Sequence, residues 1–156
     1  MTDEPPIQIR PALNEDLQSI LALYAQPDFD NGNVISTADA SRLHARFADY
    51  PDYTLYVAER GSVVVGSFAL LVMDNLGHLG APSAIVEDVV VAASLQGGGI
   101  GGAMMSFACD MARRKRCYKL MLSSNARRER AHIFYESLTF ERHGYSFRLD
   151  LEPVSP

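Results

Sequence analysis

The sequence predicts one α/β domain in which a mixed β-sheet packs against helices. Segments with helical spacing of apolar residues alternate with runs rich in β-branched residues. Two strand-like runs are separated only by a tight turn at Arg60-Gly61, which predicts an antiparallel hairpin. A strand, a glycine-rich loop, an amphipathic helix and another strand then follow, a pattern typical of a parallel crossover. The length of 156 residues is that of a single domain, which we assign to residues 1–156.

The first third of the chain predicts one strand and two helices. Residues 7–10 alternate apolar and polar side chains, as a short strand does. Asn14 is a candidate N-cap of a first helix, because acidic residues and then apolar residues at helical spacing follow it. Thr37 is the candidate cap of a second helix that ends before Pro51.

The central part predicts three strands, a helix and a buried strand. Residues 53–59 and Val63–Met73 form the hairpin, and Ser83–Val91 is the third strand of this group. A helix is predicted over residues 99–116, with its apolar residues on one face. Residues 117–122 are apolar on both faces, which favours a central buried strand.

The last part predicts a helix over residues 126–138 and one or two closing strands over residues 140–151. The complete element order is β-α-α-β-β-β-α-β-α-β. The prediction is therefore an α/β fold with a mixed central sheet of six to seven strands, flanked by four helices.

Composition and charge argue against several classes of protein. Fourteen Lys and Arg against nineteen Asp and Glu give a net charge of −5, which disfavours nucleic acid as a partner. Cys109 and Cys117 form no CxxC pair and lie near no histidine cluster, so we expect no metal. Both fit buried thiols of a protein in the reducing cytoplasm. No secretory signal begins the sequence and no apolar run could span a membrane, so no membrane partner is expected.

The most informative stretch is the glycine-rich loop that follows Ser83–Val91. Five of the six residues from 97 to 102 are glycine, although glycine at the start of a helix costs roughly 1 kcal/mol relative to alanine. Such a run indicates that the function of the loop requires backbone groups that no side chain covers. Successive N–H groups at a helix N-terminus bind phosphate groups, so we interpret the loop as a pyrophosphate site. The alternative is a flexible connector.

Three kinds of phosphate loop compete for this stretch. A P-loop needs Lys and then Ser or Thr after the glycines, and Ala103 and Met104 stand there instead. Gly97, Gly99 and Gly102 satisfy the dinucleotide pattern G-x-G-x-x-G literally, but the spacing from the strand and the missing acid after the next strand disfavour it. The third pattern is Gln/Arg-x-x-Gly-x-Gly/Ala, which Gln96, Gly99 and Gly101 match.

That third pattern resembles motif A of the GNAT acetyltransferase superfamily. Asn125 and residues 132–140 resemble its motif B, A-x-x-F-Y-x-x-x-G-F, except that Thr139 stands where glycine is usual. Parts of the chain are also similar to glucosamine-phosphate and aminoalkylphosphonate acetyltransferases. The resemblance implies acetyl-CoA as cosubstrate. The residues expected to bind it are Val89, Val90, Val91, Gln96, Gly97, Gly98, Gly99, Ile100, Gly101, Gly102 and Asn125.

The expected reaction is direct transfer of acetyl to a primary amine. An amine is mostly protonated at neutral pH and must lose a proton before it attacks. Glu87, alone or through a water molecule, is the candidate base, and a water as the base itself stays open. A backbone N–H of residues 89–91 could stabilise the oxyanion. The resemblance assigns Tyr135 as the acid. Simpler roles stay open: Glu87 as a solvated carboxylate, Tyr135 as core and Asn125 as a helix cap.

The acceptor is expected to be a small-molecule amine. The alternatives are a protein or peptide N-acetyltransferase and a non-catalytic acyl-CoA sensor. A homodimer is a further expectation, and the sequence does not decide it.

Overall fold

A computed structural model describes residues 4–151, which fall into two compact units that meet in sequence between Leu122 and Ser123. The first unit contains all five strands found in the described part of the chain. They are β1 (Ile7–Pro11), β2 (Tyr53–Arg60), β3 (Val63–Met73), β4 (Ser83–Val91) and β5 (Lys119–Met121).

Three helices lie in the first unit and one in the second. They are α1 (Leu17–Tyr24), α2 (Thr37–Arg46), α3 (Ile100–Arg114) and, in the second unit, α4 (Glu129–Ser137). The four predicted helices are therefore confirmed. None of the helices in residues 4–151 has the length and apolar character that a membrane crossing requires.

The sheet has the strand order β1-β2-β3-β4-β5, so strands adjacent in sequence are adjacent in space. The pairs from β1 to β4 are antiparallel, as the hairpin prediction required. β4 and β5 are parallel and are connected through α3, which confirms the predicted crossover. The result is a mixed sheet with one parallel edge.

Helices cover both faces of the sheet. On one face, Leu55, Val57 and Ala69 of β2 and β3 form a core with Leu17 and Ile20 of α1. On the other face, Phe107 of α3 packs edge-on against the stacked rings of Tyr56 and Phe68. The middle parts of β2 and β3 are therefore buried from both sides, as their apolar runs indicate.

The starts of α1 and α2 differ from the sequence prediction. Asn14 begins a short 3-10 turn rather than capping α1, and Asp16 closes this turn by accepting a hydrogen bond from the N–H of Leu13 at 2.7 Å. Ser36, one residue before the expected Thr37, caps α2 by accepting from the N–H of Asp39 at 3.1 Å. In both places a neighbouring side chain of the same capping class reaches the free N–H groups.

Two predictions about the last strands are wrong. β5 lies at the edge of the sheet, not in the centre, and it spans three residues of intermediate exposure. Residues 140–151, predicted to form closing strands, form no strand in the described part of the chain. The observed sheet thus has five strands, not six to seven. An alternating pattern makes a segment suitable for a strand, but a strand also needs a neighbour for its backbone hydrogen bonds.

Candidate functional site

The glycine-rich loop lies between β4 and α3, after a short 3-10 turn at Ala93–Leu95. Gly97 and Gly99 have φ values of +84° and +82°, in the left-handed region that side chains with a Cβ rarely adopt. Gly99 is also the N-cap residue of α3 and provides no side chain to cap it. The positive φ angles explain two of the five glycines by backbone conformation alone.

The space around the loop is open. An ideal Cβ built at Gly97, Gly99 or Gly102 would meet no atom within 4 Å. The first hydrogen bond of α3 runs from the N–H of Ala103 to the carbonyl of Gly99 at 3.0 Å, so the N–H groups of residues 100–102 precede it and lack a helical acceptor. Unpaired donors beside open space at a helix N-terminus form a favourable site for an anion such as a phosphate.

Gln26, which the sequence analysis did not identify, fixes the corner between β4 and this loop. Its side-chain amide donates to the carbonyl of Val91 at 3.1 Å, and its carbonyl oxygen accepts from the N–H of Ala93 at 2.6 Å. A single side chain therefore ties the end of β4 to the start of the loop. No pattern in the sequence indicates this role, because Gln26 lies in the turn after α1, far from the loop along the chain.

The start of α3 lies very close to the sheet at Gly66 of β3. An added Cβ there would lie 2.9 Å from Sδ of Met104 and 3.1 Å from the carbonyl oxygen of Val90. It would also lie 3.2 Å from Cγ2 of Ile100, the first residue of α3. The missing side chain at Gly66 therefore allows the N-terminus of α3 to approach the end of β4.

β4 contains a bulge at the position of the candidate base. Ala69 of β3 is opposite Glu87 and Ser67 is opposite Val90, so both Asp88 and Val89 face the single residue between them. Asp88 takes a left-handed conformation, with φ of +52°, as the first residue of a G1-type bulge does. Because directly opposite residues share a face, Glu87 and Val90 lie on the same face of the sheet.

The environment favours the neutral form of both adjacent carboxyls. Glu87 and Asp88 reach solvent, yet partial burial raises the pKa of each. The charge of Asp88 raises the pKa of Glu87 further, and the charge of Asp30 does the same for Asp88. A carboxylate with a raised pKa is a stronger base than one in water.

The second half of β4 has a free edge on the β5 side. β4 pairs with β3 up to Val91, but its parallel pairing with β5 ends at Ile85, opposite Met121. Within the first unit, residues 86–91 therefore pair with a neighbouring strand, β3, on one side only. The N–H groups of Val89, Val90 and Val91 belong to this half.

In the second unit, Asn125 closes the turn that precedes α4. Its side-chain oxygen accepts from the N–H of Arg127 at 2.9 Å, and its carbonyl accepts from Nε2 of His132 at 2.8 Å. α4 begins at Glu129, three residues later than the predicted start, because these contacts form a turn rather than the first helical turn. Asn125 therefore supports the turn before α4 and does not cap the helix, whose N-cap residue is Arg128 and has no side-chain cap hydrogen bond.

Tyr135 lies on α4 in an aromatic cluster. Its ring packs against Phe134 and Phe140, with centroids 5.1 Å and 5.8 Å away. Burial raises the pKa of the Tyr135 hydroxyl, and the positive charge of Arg128 opposes this rise. A raised pKa keeps the hydroxyl protonated, which a donor of protons requires.

α4 ends in a regular motif although Thr139 replaces the usual glycine. The N–H of Phe140 donates to the carbonyl of Tyr135 at 3.1 Å, and the N–H of Thr139 donates to Glu136 at 3.0 Å. These are the two bonds of a Schellman motif, in which Thr139 takes φ of +69°. The substitution for glycine changes the backbone strain and leaves the hydrogen bonds intact.

The structure brings the predicted site residues of the first unit into one continuous segment: Glu87 and Val89 to Val91 on β4, then Gln96 in the turn and the glycines that lead into α3. Asn125 and Tyr135 belong to the second unit. Among residues 4–151, no three His, Cys, Asp or Glu side chains are grouped as metal ligands would be.

Comparison with known proteins identifies the family. A model of the Acetyltransferase (GNAT) family matches residues 17–140. The chain is 30% identical over 155 residues to the glucosamine 6-phosphate N-acetyltransferase of Trypanosoma brucei brucei, covering 97% of this chain and 100% of that protein.

Solved structures agree with this match. An acetyltransferase of Trypanosoma brucei has a TM-score of 0.81 at 28% identity, over 94% of this chain and 100% of that chain. The glucosamine-6-phosphate N-acetyltransferase of Arabidopsis thaliana shares the fold, with a TM-score of 0.78 at 16% identity over 94% and 99% of the two chains. The glycine loop between β4 and α3 and the family match over residues 17–140 lead to one conclusion: the chain belongs to the GNAT family of acetyltransferases, which use acetyl-CoA as cosubstrate.

Proposed function

We propose that the protein is an N-acetyltransferase that moves acetyl from acetyl-CoA to the primary amine of a small molecule. The observation that carries this proposal is the open glycine loop at the N-terminus of α3, with two left-handed glycines and free N–H groups. The name of the Trypanosoma brucei brucei relative, a glucosamine 6-phosphate N-acetyltransferase, supports a small amine that also carries an anionic group.

The coenzyme would bind along the second half of β4 and on the glycine loop. The glycine loop, residues 97–102, would hold the pyrophosphate through the N–H groups of residues 100–102, which precede the first hydrogen bond of α3, with Gln96 beside it. The free edge of Val89 to Val91 would pair with amide groups of the extended coenzyme arm, as a strand neighbour does. Asn125 is proposed as a further coenzyme contact on the family resemblance, in addition to its role in the turn.

The chemistry would be direct attack by the amine on the thioester carbonyl. Glu87 takes a proton from the amine, whose nitrogen forms the new C–N bond. A backbone N–H of residues 89–91 stabilises the resulting oxyanion, a contribution worth about 3–4 kcal/mol for one well-placed donor. The C–S bond of the tetrahedral intermediate then breaks, and Tyr135 protonates the thiolate that leaves. The nitrogen loses its remaining extra proton to give the neutral amide, this proton restores the Tyr135 hydroxyl, and Glu87 releases its proton to water.

A substitution at Gly99 tests the coenzyme site. Gly99→Asp adds a Cβ and a negative charge where a phosphate would lie, so calorimetry is expected to show acetyl-CoA affinity lower by roughly 100-fold or more. Gly32→Asp is the matched control, because Gly32 has φ of +84° and equally open surroundings in the turn after α1. Equal coenzyme affinity in the two variants would contradict the assignment of the loop.

The bulge makes Glu87 and Asp88 separate candidates for the base, and the sequence assigns Glu87. For Glu87→Gln we expect the largest loss of kcat at low pH and partial recovery at high pH, where the amine loses its proton unaided. Because the pKa of Glu87 is raised, the wild-type rate should fall as the pH decreases through that value. Asp88→Asn, measured in parallel, should keep the fall in rate at low pH but move it to lower pH, because the charge of Asp88 raises the pKa of Glu87. A wild-type profile in Glu87→Gln would refute the assignment.

Replacement of Tyr135 by Phe tests the proposed acid. The ring and its contacts with Phe134 and Phe140 stay, so the melting temperature should change little, while kcat should fall by roughly 100-fold or more. Tyr50→Phe is the control at a half-exposed tyrosine. Normal turnover in Tyr135→Phe would leave Tyr135 as a core residue only.

Activity assays of the wild-type protein test the two alternative functions, a protein or peptide acetyltransferase and a non-catalytic acyl-CoA sensor. A panel of amino-sugar phosphates, aminoalkylphosphonates, amino acids and peptides separates a small-molecule enzyme from a protein or peptide acetyltransferase. Turnover of any amine excludes a non-catalytic acyl-CoA sensor.

We further propose that residues 1–156 act as one domain, since the family match continues from the first unit into the second. The two free thiols, Cys109 and Cys117, support a place in the cytoplasm.

A further inference from the structure

The side-chain amide of Gln26 contacts β4 in the way that a neighbouring parallel strand does. Its Nε2 donates to the carbonyl of Val91 at 3.1 Å, and its Oε1 accepts from the N–H of Ala93 at 2.6 Å. In a parallel ladder, a residue of one strand donates to the residue before its partner and accepts from the residue after it. Gln26 makes both of these bonds around Ala92 with a single side chain.

The backbone hydrogen bonds of β3 and β4 show that Gln26 binds on the free edge of β4. The N–H of Ala92 donates to the carbonyl of Val65, on the β3 side, at 2.9 Å. Because the peptide group is planar and trans, the carbonyl of Val91 points the opposite way, away from β3. Gln26 therefore binds on the side where β4 has no strand neighbour after Ile85.

The turn that carries Gln26 is held in place before any ligand binds. The backbone carbonyl of Gln26 accepts hydrogen bonds from the N–H groups of Phe29 and Asn31, both at 3.1 Å. The rings of Phe29 and Tyr24 stack across the turn, with centroids 4.6 Å apart. A polar group on a fixed backbone of this kind is preorganised for a positioning role.

The free edge of β4 is thus bounded at both ends. Its parallel pairing with β5 ends at Ile85, and the amide of Gln26 occupies the carbonyl of Val91 and the N–H of Ala93. At about 3.3 Å per residue, the distance along the strand from Ile85 to Val91 is about 20 Å. An extended ligand that pairs with this edge therefore has a limited stretch of backbone available within the first unit.

We propose that Gln26 is a positioning residue that sets the register of the coenzyme on β4. The inference rests on the proposed binding of the coenzyme arm along this edge. A strand edge offers equivalent backbone groups every two residues, so the edge alone does not fix where the amide groups of the arm pair. The next position toward the glycine loop uses the carbonyl of Val91 and the N–H of Ala93. Because Gln26 occupies both groups, the arm stays in the register that places the thioester beside Glu87.

Loss of the Gln26 amide should permit a displaced complex. An arm shifted by two residues gains the two backbone groups that Gln26 leaves unpaired, so the coenzyme still binds. Its thioester, however, lies about 7 Å from the productive position. Such a complex cannot react, because the reacting atoms must lie in near contact. The expected signature is a loss of kcat that exceeds the loss of coenzyme affinity.

Gln26→Met tests the proposal, because methionine has the same chain length and cannot make either hydrogen bond. At saturating acetyl-CoA we expect kcat to fall by about tenfold, while the Kd from calorimetry rises by less than about threefold. Ser36→Ala is the control, since it also removes one side-chain bond to a backbone N–H, that of Asp39 at 3.1 Å, away from the edge. It should lower the melting temperature and keep kcat. All assays are run where thermal melts show every variant to be folded.

Amide hydrogen exchange of the wild-type protein gives a second measurement that needs no variant. In the free protein, the N–H of Ala93 should exchange slowly, because Gln26 binds it. Addition of coenzyme A should slow exchange at the N–H of Val91 by about tenfold or more and leave Ala93 unchanged. The arm would then pair up to Val91 and stop there.

Three results would overturn the proposal in a protein that transfers acetyl. They are a wild-type kcat in Gln26→Met, a loss of kcat matched by an equal loss of affinity, and rapid exchange of the Ala93 N–H in the free protein. A wild-type protein that shows the expected exchange with coenzyme A but acetylates no amine contradicts the proposed function and leaves the register of the coenzyme as inferred. A protein that binds no coenzyme A contradicts both.

Discussion

Replacing Gly66 by alanine tests how closely α3 must approach the sheet. The new Cβ would lie 2.9 Å from Sδ of Met104, a residue with 0% exposure, and 3.1 Å from the carbonyl oxygen of Val90. The sulfur could shift only within a packed core, and the carbonyl belongs to the backbone of β4. Overpacking of this kind costs about 1–3 kcal/mol. At about 2 kcal/mol, the melting temperature of a chain of this size should fall by ~4–8 °C.

Thermal unfolding followed by circular dichroism measures this change, and calorimetry measures acetyl-CoA affinity of the folded variant. Gly102→Ala is the control, because a Cβ there meets no atom within 4 Å and alanine favours a helix by about 0.5–1 kcal/mol. It should raise or preserve the melting temperature. If Gly66→Ala melts at the wild-type temperature, the close approach of α3 at Gly66 is not a constraint, and the reasoning fails.

Three further predictions concern side chains that shape the two units. Gln26→Ala removes both hydrogen bonds at the corner after β4, so it should lower stability by about 1–2 kcal/mol and weaken acetyl-CoA binding. Gln18→Ala, at an exposed position, is the control and should do neither. Thermal melts measure the stability and calorimetry measures the acetyl-CoA affinity. The ion pair with Arg10 lowers the pKa of Asp16, so this carboxylate stabilises the fold above its unfolded pKa of about 3.9 and the contribution is lost as the pH falls through the lower folded pKa. Asp16→Asn should therefore be less stable than wild type by ~1–3 kcal/mol at pH 7, and urea titrations should show this gap closing in acid; a gap independent of pH would contradict the ionic role. Thr139→Gly relieves a left-handed φ of +69° and should stabilise the second unit by roughly 0.5–1 kcal/mol, measured as slower hydrogen exchange in α4. Ser137→Gly should have the opposite effect, because it introduces a helical glycine and removes the hydrogen bond from Oγ of Ser137 to the carbonyl of Phe134.

The sequence predicted the central strands well because their signals are local. β3 and β4 begin and end where the β-branched runs do, and the hairpin of β2 and β3 follows from the short turn between two such runs. The glycine loop is equally visible in the sequence, as five glycines among the six residues at the start of an amphipathic helix. These features depend on residues that are neighbours along the chain.

Features that depend on distant partners could not be predicted. The bulge at Asp88 exists only relative to β3, and a single strand gives no indication that Asp88 and Val89 face one residue. Gln26 contacts the end of β4 from another part of the chain. The predicted closing strands failed for the same reason, because alternation within residues 145–151 describes a suitable strand and says nothing about its neighbour.

The strand order has a consequence for how the chain folds. β2, β3 and β4 follow one another with short connections, so their pairing requires little loop closure. The pairing of β1 with β2 closes a long loop that contains α1 and α2, and the pairing of β5 with β4 closes one that contains α3. Pairings that close longer loops form later, so the three-strand meander is the natural nucleus. The end of β4 that leads to the glycine loop would thus be built on the earliest part of the sheet, and the two edges of the sheet would be completed last.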